Sequence, residues 1–581
     1  MCAAASMDRR TRKKRKEGGT EEGVGGMRKQ SAGHLVVQSL ETCGVDTVFG
    51  IPGLHTLHIY DGLLQSALRV VTARHEQGAG FMADGYARST GRVGVALVIS
   101  GPGLTNILTP MGQAFADAVP LLVISSQVPR AFLAGKSGFL HELRNSTIMV
   151  ASVAKESRRI HAAEEIPCAV AQAMRTALSG RPGPVHLEIP LDVLGTEIDD
   201  VSSFAWPGFT ASGRDPKTAP PGVRDLFVPL GPPPSETDLA TVISLLRNAS
   251  TPMLLAGGGS VTAAPEIETL SERLGAPVVT TTAGKGLLPE KHPLSLGTRL
   301  HFPSVRNAVE EADVLLAVGT ELAPADLWEA PLRPKGHLIR IDTDPSALSR
   351  NLPAHVSLEG NARDVLRRLL ADLHVSRPPR SEEVKTLLQN SQNELAAVTR
   401  MGTALPFMLD MLRGLRRGLP DEGLLVMDMT GPAYVALSEF PVFSPRSFLH
   451  PVGFGTLGYA LPAAVGAKLA ALDRPVCVFS GDGGFQFTLP ELAVACQEKL
   501  SLPVVIWDNG GYGEIRRNQE ARHPGEYLGV DLLGPDLRLL AASYGISGVA
   551  VSSGAELAEA VAAALGREMP TLIRVDAGRE V

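Results

Sequence analysis

Short apolar runs alternate along most of the chain with longer stretches in which apolar positions recur every three or four residues. The runs read as buried strands and the longer stretches as helices. From Ser31 the pattern predicts helices over 32–43, 56–66, 77–89, 104–116 and 166–179, and strands over 47–50, 70–73, 93–99, 121–125 and 185–189. A second alternating block has strands at 253–256, 277–281, 314–318 and 338–341, and closes on a helix ending at Leu373. A third has strands at 476–479, 504–507 and 571–575. Strand and helix in alternation predict parallel sheets, so the expected fold class is α/β with three parallel-sheet domains.

Proline and glycine punctuate the blocks. Residues 203–236 hold Pro207, Pro216, Pro220, Pro221, Pro229 and Pro232-Pro233-Pro234, and Pro378-Pro379 follow the second block. Such density continues neither a sheet nor a helix. The expected plan is a basic disordered tail over 1–30, a first domain over 31–194, a linker over 195–235 and a central domain over 236–373. A second linker over 374–395 and a last domain over 396–581 complete it.

Composition narrows the function classes. The chain has 581 residues, 44% hydrophobic and 20% charged, which suits several ordinary globular cores. A net charge of −6 offers no general attraction to nucleic acid or anionic membrane. Apart from the basic run Arg9 to Lys16, nothing in the sequence points to nucleic acid. Every apolar run is interrupted well short of the ~18 residues that would span a bilayer. Five scattered cysteines without CxxC spacing argue against a disulfide or zinc framework, and a cytoplasmic location is expected.

The candidate chemistry lies at strand ends. The run Val476 to Phe479 leads into Gly481-Asp482-Gly483-Gly484, and Val504 to Trp507 leads into Asp508-Asn509-Gly510-Gly511-Tyr512. Both strands thus stop on oxygen ligands at one sheet edge, where open α/β sheets bind ligands. A carboxylate and an amide oxygen suit Mg²⁺, and the glycines admit a diphosphate. In the first block a predicted strand passes into a helix at Arg74-His75-Glu76-Gln77-Gly78-Ala79. A carboxylate there also suits a helix N-terminus electrostatically.

These stretches resemble the thiamine diphosphate enzymes, in the group of acetolactate synthases and 2-oxo acid decarboxylases. The resemblance covers roughly 31–576 and implies a pyrimidine-binding, a central and a diphosphate-binding domain. It implies that Asp482, Asn509 and the Gly511 carbonyl hold Mg²⁺, that Glu76 activates the cofactor, and that Leu457 is the wedge bending it. Gly455 and Thr456 beside that wedge, with Gly481, Gly483, Gly484 and Tyr512, would line the cofactor. Ser100-Gly101-Pro102-Gly103-Leu104-Thr105-Asn106 also matches the group. Because such sites draw on two subunits, a homodimer or homotetramer is implied.

Three departures bear on substrate. Leu140-His141-Glu142 stands where acetolactate synthases carry Phe-Gln-Glu. The segment Gly319 to Asp326 lacks the arginine-rich character of their flavin-binding domain, so FAD is not expected. Asp508 replaces a non-ligand Asn. The chain has no His-His dipeptide of the pyruvate decarboxylase kind. The Leu-His-Glu element and Gly513-Glu514-Ile515 look most like the branch that decarboxylates 5-guanidino-2-oxopentanoate, with His141, Glu142 and Glu514 as candidate substrate contacts. Decarboxylation of a 2-oxo acid is therefore the expected activity. Carboligation of two 2-oxo acids and a non-catalytic cofactor-binding scaffold are the alternatives.

Overall fold

The apolar runs pair, always in parallel, into three six-stranded sheets in the computed structural model, which describes residues 30–133, 137–199, 234–328, 331–397 and 404–578. The first sheet is ordered Arg69–Thr72, Thr47–Gly50, Gly94–Val98, Leu121–Gln127, Pro184–Pro190, Glu156–Arg159. The last is ordered Phe448–Leu449, Leu424–Met427, Val476–Gly481, Pro503–Asp508, Thr571–Asp576, Ser547–Val551. Counted along each block, both follow the order 2-1-3-4-6-5. The middle sheet runs Ser295–Gly297, Val278–Thr280, Met253–Ala256, Val314–Val318, His337–Asp342, Val356–Glu359, which is 3-2-1-4-5-6. The middle order reverses direction once and the outer two twice; in each, the crevice beside the first strand, where the first reversal falls, is where such sheets receive ligands.

The central strands coincide with the apolar runs because both of their faces are covered. Edge strands such as Glu156–Arg159 and Val356–Glu359 escape the pattern, being half-exposed and partly polar. The helix expected over 104–116 is two helices, Pro102–Asn106 and Leu108–Ala116, parted at Ile107. Pro110 has no N–H to give the Asn106 carbonyl, so the turn cannot continue. The stretch 374–395, read as a linker, carries a helix over Ser381–Ala396. Its Val384, Leu387, Ser391 and Leu395 fall on one buried face, and Glu394 accepts from Ser304 N and Oγ at 3.0 Å each. The basic tail, apart from Gln30, and positions 200–233 of the first linker lie outside the described residues.

The first and last domains share one core. Helix Glu76–Thr90 lies against helix Ala460–Ala470, with Phe81, Met82, Leu461 and Val465 fully buried between them. The backbones nearly touch. A Cβ on Gly85 would stand 1.9 Å from the Ala463 carbonyl oxygen, and one on Gly466 would stand 1.8 Å from that of Met82. Residue 82 therefore faces 466 while 85 faces 463, so the helices run antiparallel. A buried polar cluster locks the register: Tyr459 Oη donates to Asp84 Oδ1 (2.7 Å), and Arg88 bonds Asp84 (2.6 Å) and Asp117 (2.8 Å). Burial raises the Asp84 carboxyl and the arginine beside it opposes the shift.

Gly466→Ala forces these helices apart. It is expected to destabilise the chain by about 1–3 kcal/mol, seen as a lower urea midpoint. Gly534→Ala, whose Cβ meets only Gln486 Nε2 at 3.8 Å, should leave the midpoint unchanged.

Candidate active site

Three strand ends of the last sheet meet at its reversal point. Strand Leu424–Met427 ends on Asp428, strand Val476–Gly481 on Asp482, and strand Pro503–Asp508 leads into Asn509. The Gly-Asp-Gly segment is a helix start: Gly481 is the N-cap and Asp482 opens helix Asp482–Phe487. Gly483 must be small because a Cβ there would come within 2.8 Å of the Tyr512 ring, and on Gly484 within 3.2 Å of the Asp428 carboxyl.

The Asn509 side-chain oxygen lies 3.1 Å from Asp482 Oδ1 and 2.9 Å from the Gly511 carbonyl oxygen, while its nitrogen points toward Gly513. Turning the amide over would convert both contacts to hydrogen bonds. As oriented, three oxygens converge with no proton between them. That arrangement is repulsive by itself and is a donor set for a hard divalent cation. Burial, and secondarily Asp508, push the Asp482 carboxyl up to about 6. Asp508 is not part of the cluster, for it pairs with Arg574 Nε at 2.6 Å on the neighbouring strand.

Asp428 joins the two cofactor segments and escaped the sequence reading. Its carboxylate accepts from Gly458 N (3.1 Å to each oxygen), Ser480 Oγ (3.2 Å) and Met429 N (2.9 Å). Burial pushes it up to about 6 against these bonds. The signal that could have marked it is the one used for Asp482, an apolar run ending on a carboxylate. The wedge segment is thereby tied to the Gly-Asp-Gly segment. Within it Leu457 is half-buried, Thr456 Oγ1 donates to Gln113 Oε1 (2.9 Å), and Gly455 and Gly458 take φ of +69° and +79°.

Glu76 opens its helix after the N-cap His75, whose Nδ1 accepts from Gln77 N. Its Oε2 accepts from Asn106 Nδ2 at 2.9 Å. Glu491, fully buried in the segment after the Gly-Asp-Gly helix, caps the same junction by accepting from Arg74 N (3.1 Å) and His75 N (2.9 Å). Burial pushes Glu491 up to about 7. Nothing in its sequence context singled it out.

Glu76 and Leu457 of one chain are not brought together. The antiparallel packing places Glu76 at one end of its 15-residue helix and the wedge segment beside the other end, a separation of about 22 Å at 1.5 Å per residue.

The candidate substrate contacts separate as well. Glu142 accepts from Gly138 N (2.8 Å), Phe139 N (3.2 Å) and Ser137 Oγ (3.1 Å), so within the chain it caps its own loop. Glu514 holds the Arg517 guanidinium at 2.7 Å and the Asn518 amide at 3.1 Å. It lies two residues beyond Tyr512, whose amide bonds the Val530 carbonyl. His141 lies in the first domain beside His55.

Asp428→Ala leaves buried donors on both segments without a partner. It is expected to raise the dissociation constant for thiamine diphosphate about tenfold or more, since a hydrogen bond to a charged group contributes about 1.5–3 kcal/mol. A cofactor titration measures this.

The comparisons with known proteins agree with the geometry. Models of the thiamine pyrophosphate enzyme N-terminal, central and C-terminal domains match residues 30–165, 239–369 and 430–575. A Pseudomonas aeruginosa protein named "Probable 2-ketoarginine decarboxylase AruI" is 41% identical over 546 residues, 94% of each chain. The acetolactate synthase large subunit of Corynebacterium glutamicum is 33% identical over 90% of this chain and 83% of its own. Isozyme 1 of that subunit from Escherichia coli is 30% identical over 96% of each. With three parallel sheets in place and every domain matched in order, the chain belongs to the thiamine pyrophosphate enzyme family.

Proposed function

We propose that the chain decarboxylates a 2-oxo acid with a cationic tail, 5-guanidino-2-oxopentanoate, to 4-guanidinobutanal and CO₂, with thiamine diphosphate and Mg²⁺. The observation that carries the substrate is the 41% identity, across 94% of both chains, to a 2-ketoarginine decarboxylase. The three-oxygen cluster of Asp482, Asn509 and Gly511 supports the metal. Thiamine diphosphate supplies a nucleophilic carbon and a sink for the electrons left when CO₂ departs. The protein's part is placement. Asp482, Asn509 and the Gly511 carbonyl hold the metal against the diphosphate. Gly483 and Gly484 let the backbone approach it. Leu457, held by Asp428 through Gly458, would support the bound cofactor. Glu76, oriented by Asn106, would hold a proton for its ring. Glu514 already binds one guanidinium, that of Arg517, and can take the substrate's in its place.

The same geometry supports a second chain. A cofactor seated over Leu457 is beyond the reach of Glu76 of its own chain, so each site is completed by the partner's Glu76 in a homodimer or a larger even assembly. No helix among the described residues is long and apolar enough to cross a membrane. The scattered, unpaired cysteines favour a cytoplasmic enzyme. Carboligation is the second reading, favoured by the acetolactate synthase relatives at 30–33% identity.

With a panel of 2-oxo acids, CO₂ release is expected to be fastest from 5-guanidino-2-oxopentanoate, with the aldehyde as co-product. Acetolactate from pyruvate as the main product would establish carboligation instead. Glu76→Gln and Asp482→Ala chains should each be inactive alone. Co-expressed, they should regain about a quarter of wild-type activity, because half the dimers are mixed and each has one intact site. No recovery on mixing would place the whole site within one chain.

A further inference from the structure

The reversal point of the first sheet carries a second cluster of titratable groups, which has no part in the cofactor-binding scheme above. His55 stands in the short turn Leu54–Thr56, after strand Thr47–Gly50, and Ser100 in the loop after the neighbouring strand Gly94–Val98. His55 Nδ1 lies 2.9 Å from Ser100 Oγ, bridging the crevice. His141 arrives from beyond the next strand, Leu121–Gln127, and its ring centroid is 5.1 Å from that of His55. Phe139 closes the other side of His55 at 6.0 Å.

The backbone is shaped to bring His141 in. Its φ is +67°, a conformation that histidine adopts more readily than most side chains. A Cβ on Gly101 would stand 2.8 Å from His141 Cβ and 2.9 Å from its Cα, so only glycine allows the approach. The loop leads directly into helix Pro102–Asn106, where a Cβ on Gly103 would meet Glu76 Oε1 at 3.4 Å and Asn106 bonds Glu76. One continuous segment therefore touches both the histidine pair and the cofactor-activating carboxylate.

The pair differs from a histidine that serves only packing. His186 is fully buried, and each of its ring nitrogens lies 2.8 Å from a serine hydroxyl, Ser125 or Ser157. His141 Nδ1 is buried with no hydrogen-bond partner among the described residues. An unpaired buried nitrogen is costly in a finished core and useful where a proton is to be passed on.

We propose that His141, backed by His55 and Ser100, is the proton donor that makes the reaction end in an aldehyde. This rests on the decarboxylase reading. Conversion of R–CO–CO₂⁻ to R–CHO and CO₂ consumes one proton: the C–C bond breaks, and its electron pair becomes the new C–H bond. His141 gives that proton and takes another from solvent. His55, buried at 2% exposure, is a positioning residue that holds the second ring in place. Burial lowers its basicity, and the charge of His141 lowers it further. The missing His-His dipeptide is thus replaced by two histidines joined through the fold.

The test uses enzyme loaded with thiamine diphosphate and Mg²⁺. His141→Asn suits the left-handed backbone and removes the proton, while His55→Gln serves as the second variant. Aldehyde formation from 5-guanidino-2-oxopentanoate should fall about a hundredfold in His141→Asn. CO₂ release with dichlorophenolindophenol, which takes the electrons before a proton is needed, should stay within about threefold of wild type. In cofactor-free protein, NMR titration of labelled histidines should show the His55 pKa rising when His141 becomes Asn. A parallel fall of aldehyde and dye-coupled CO₂, an unchanged aldehyde rate, or an unmoved His55 titration each overturns the proposal. Wild-type enzyme that yields only condensed product overturns the decarboxylase reading and this role with it, a result seen before any variant is made.

Discussion

The contact on which the rest depends is the near-touching of two helices, Glu76–Thr90 and Ala460–Ala470, through Gly85 and Gly466. Glycine at these two positions lets a carbonyl of one helix rest where a side chain of the other would be. The hydrophobic cores of the first and last domains then merge, and the Asp84–Arg88–Tyr459 cluster fixes how far each helix slides along its neighbour. This register has a chemical effect. Glu76 begins one helix and the Leu457 segment precedes the other, so antiparallel packing sets the two at opposite ends. Within one chain the two segments are therefore held apart by the core they share.

The two outer sheets repeat one topology and put it to different uses. In each, the loop after the first strand faces the loop after the third, and a serine bonds a titratable side chain across the gap. In the last sheet the pair is Ser480 with Asp428, and the cluster around it binds together the segments that would grip a diphosphate and its metal. In the first sheet it is Ser100 with His55, and a second histidine stands beside them. The same crevice thus gathers carboxylates in one domain and imidazoles in the other. What differs is whether its glycines face a carboxylate or an imidazole.

Buried carboxylates give the diphosphate side its character. Asp428, Asp482 and Glu491 are all raised toward neutrality by burial, each offset in part by backbone N–H groups. Asp428 spends its lone pairs on Gly458, Ser480 and Met429, and Glu491 on Arg74 and His75. Asp482 instead faces two further oxygens, which is why it reads as a ligand while the others read as struts.

Much was legible in the sequence because the forces behind it are local. Strands buried on both faces must be continuous apolar runs, so Thr47–Gly50, Met253–Ala256 and Val314–Val318 were marked to the residue. The metal-seeking oxygens of Asp482 and Asn509 were marked by their position at strand ends. Edge strands were missed because half-exposed positions carry no such pattern, and the helix Ser381–Ala396 because nearby prolines obscured its apolar face. The roles of Asp428, Glu491 and His55 depend on partners far along the chain. The cap that Glu142 places on its own loop was likewise not announced by the motif that holds it. The sequence by itself determined most central strands and the three-sheet plan, since periodicity is a property of neighbouring residues, and its motifs resembled those of a family that carries the cofactor. Only the tertiary structure decided which groups meet, because antiparallel helix packing and strand order set distances that no local spacing encodes.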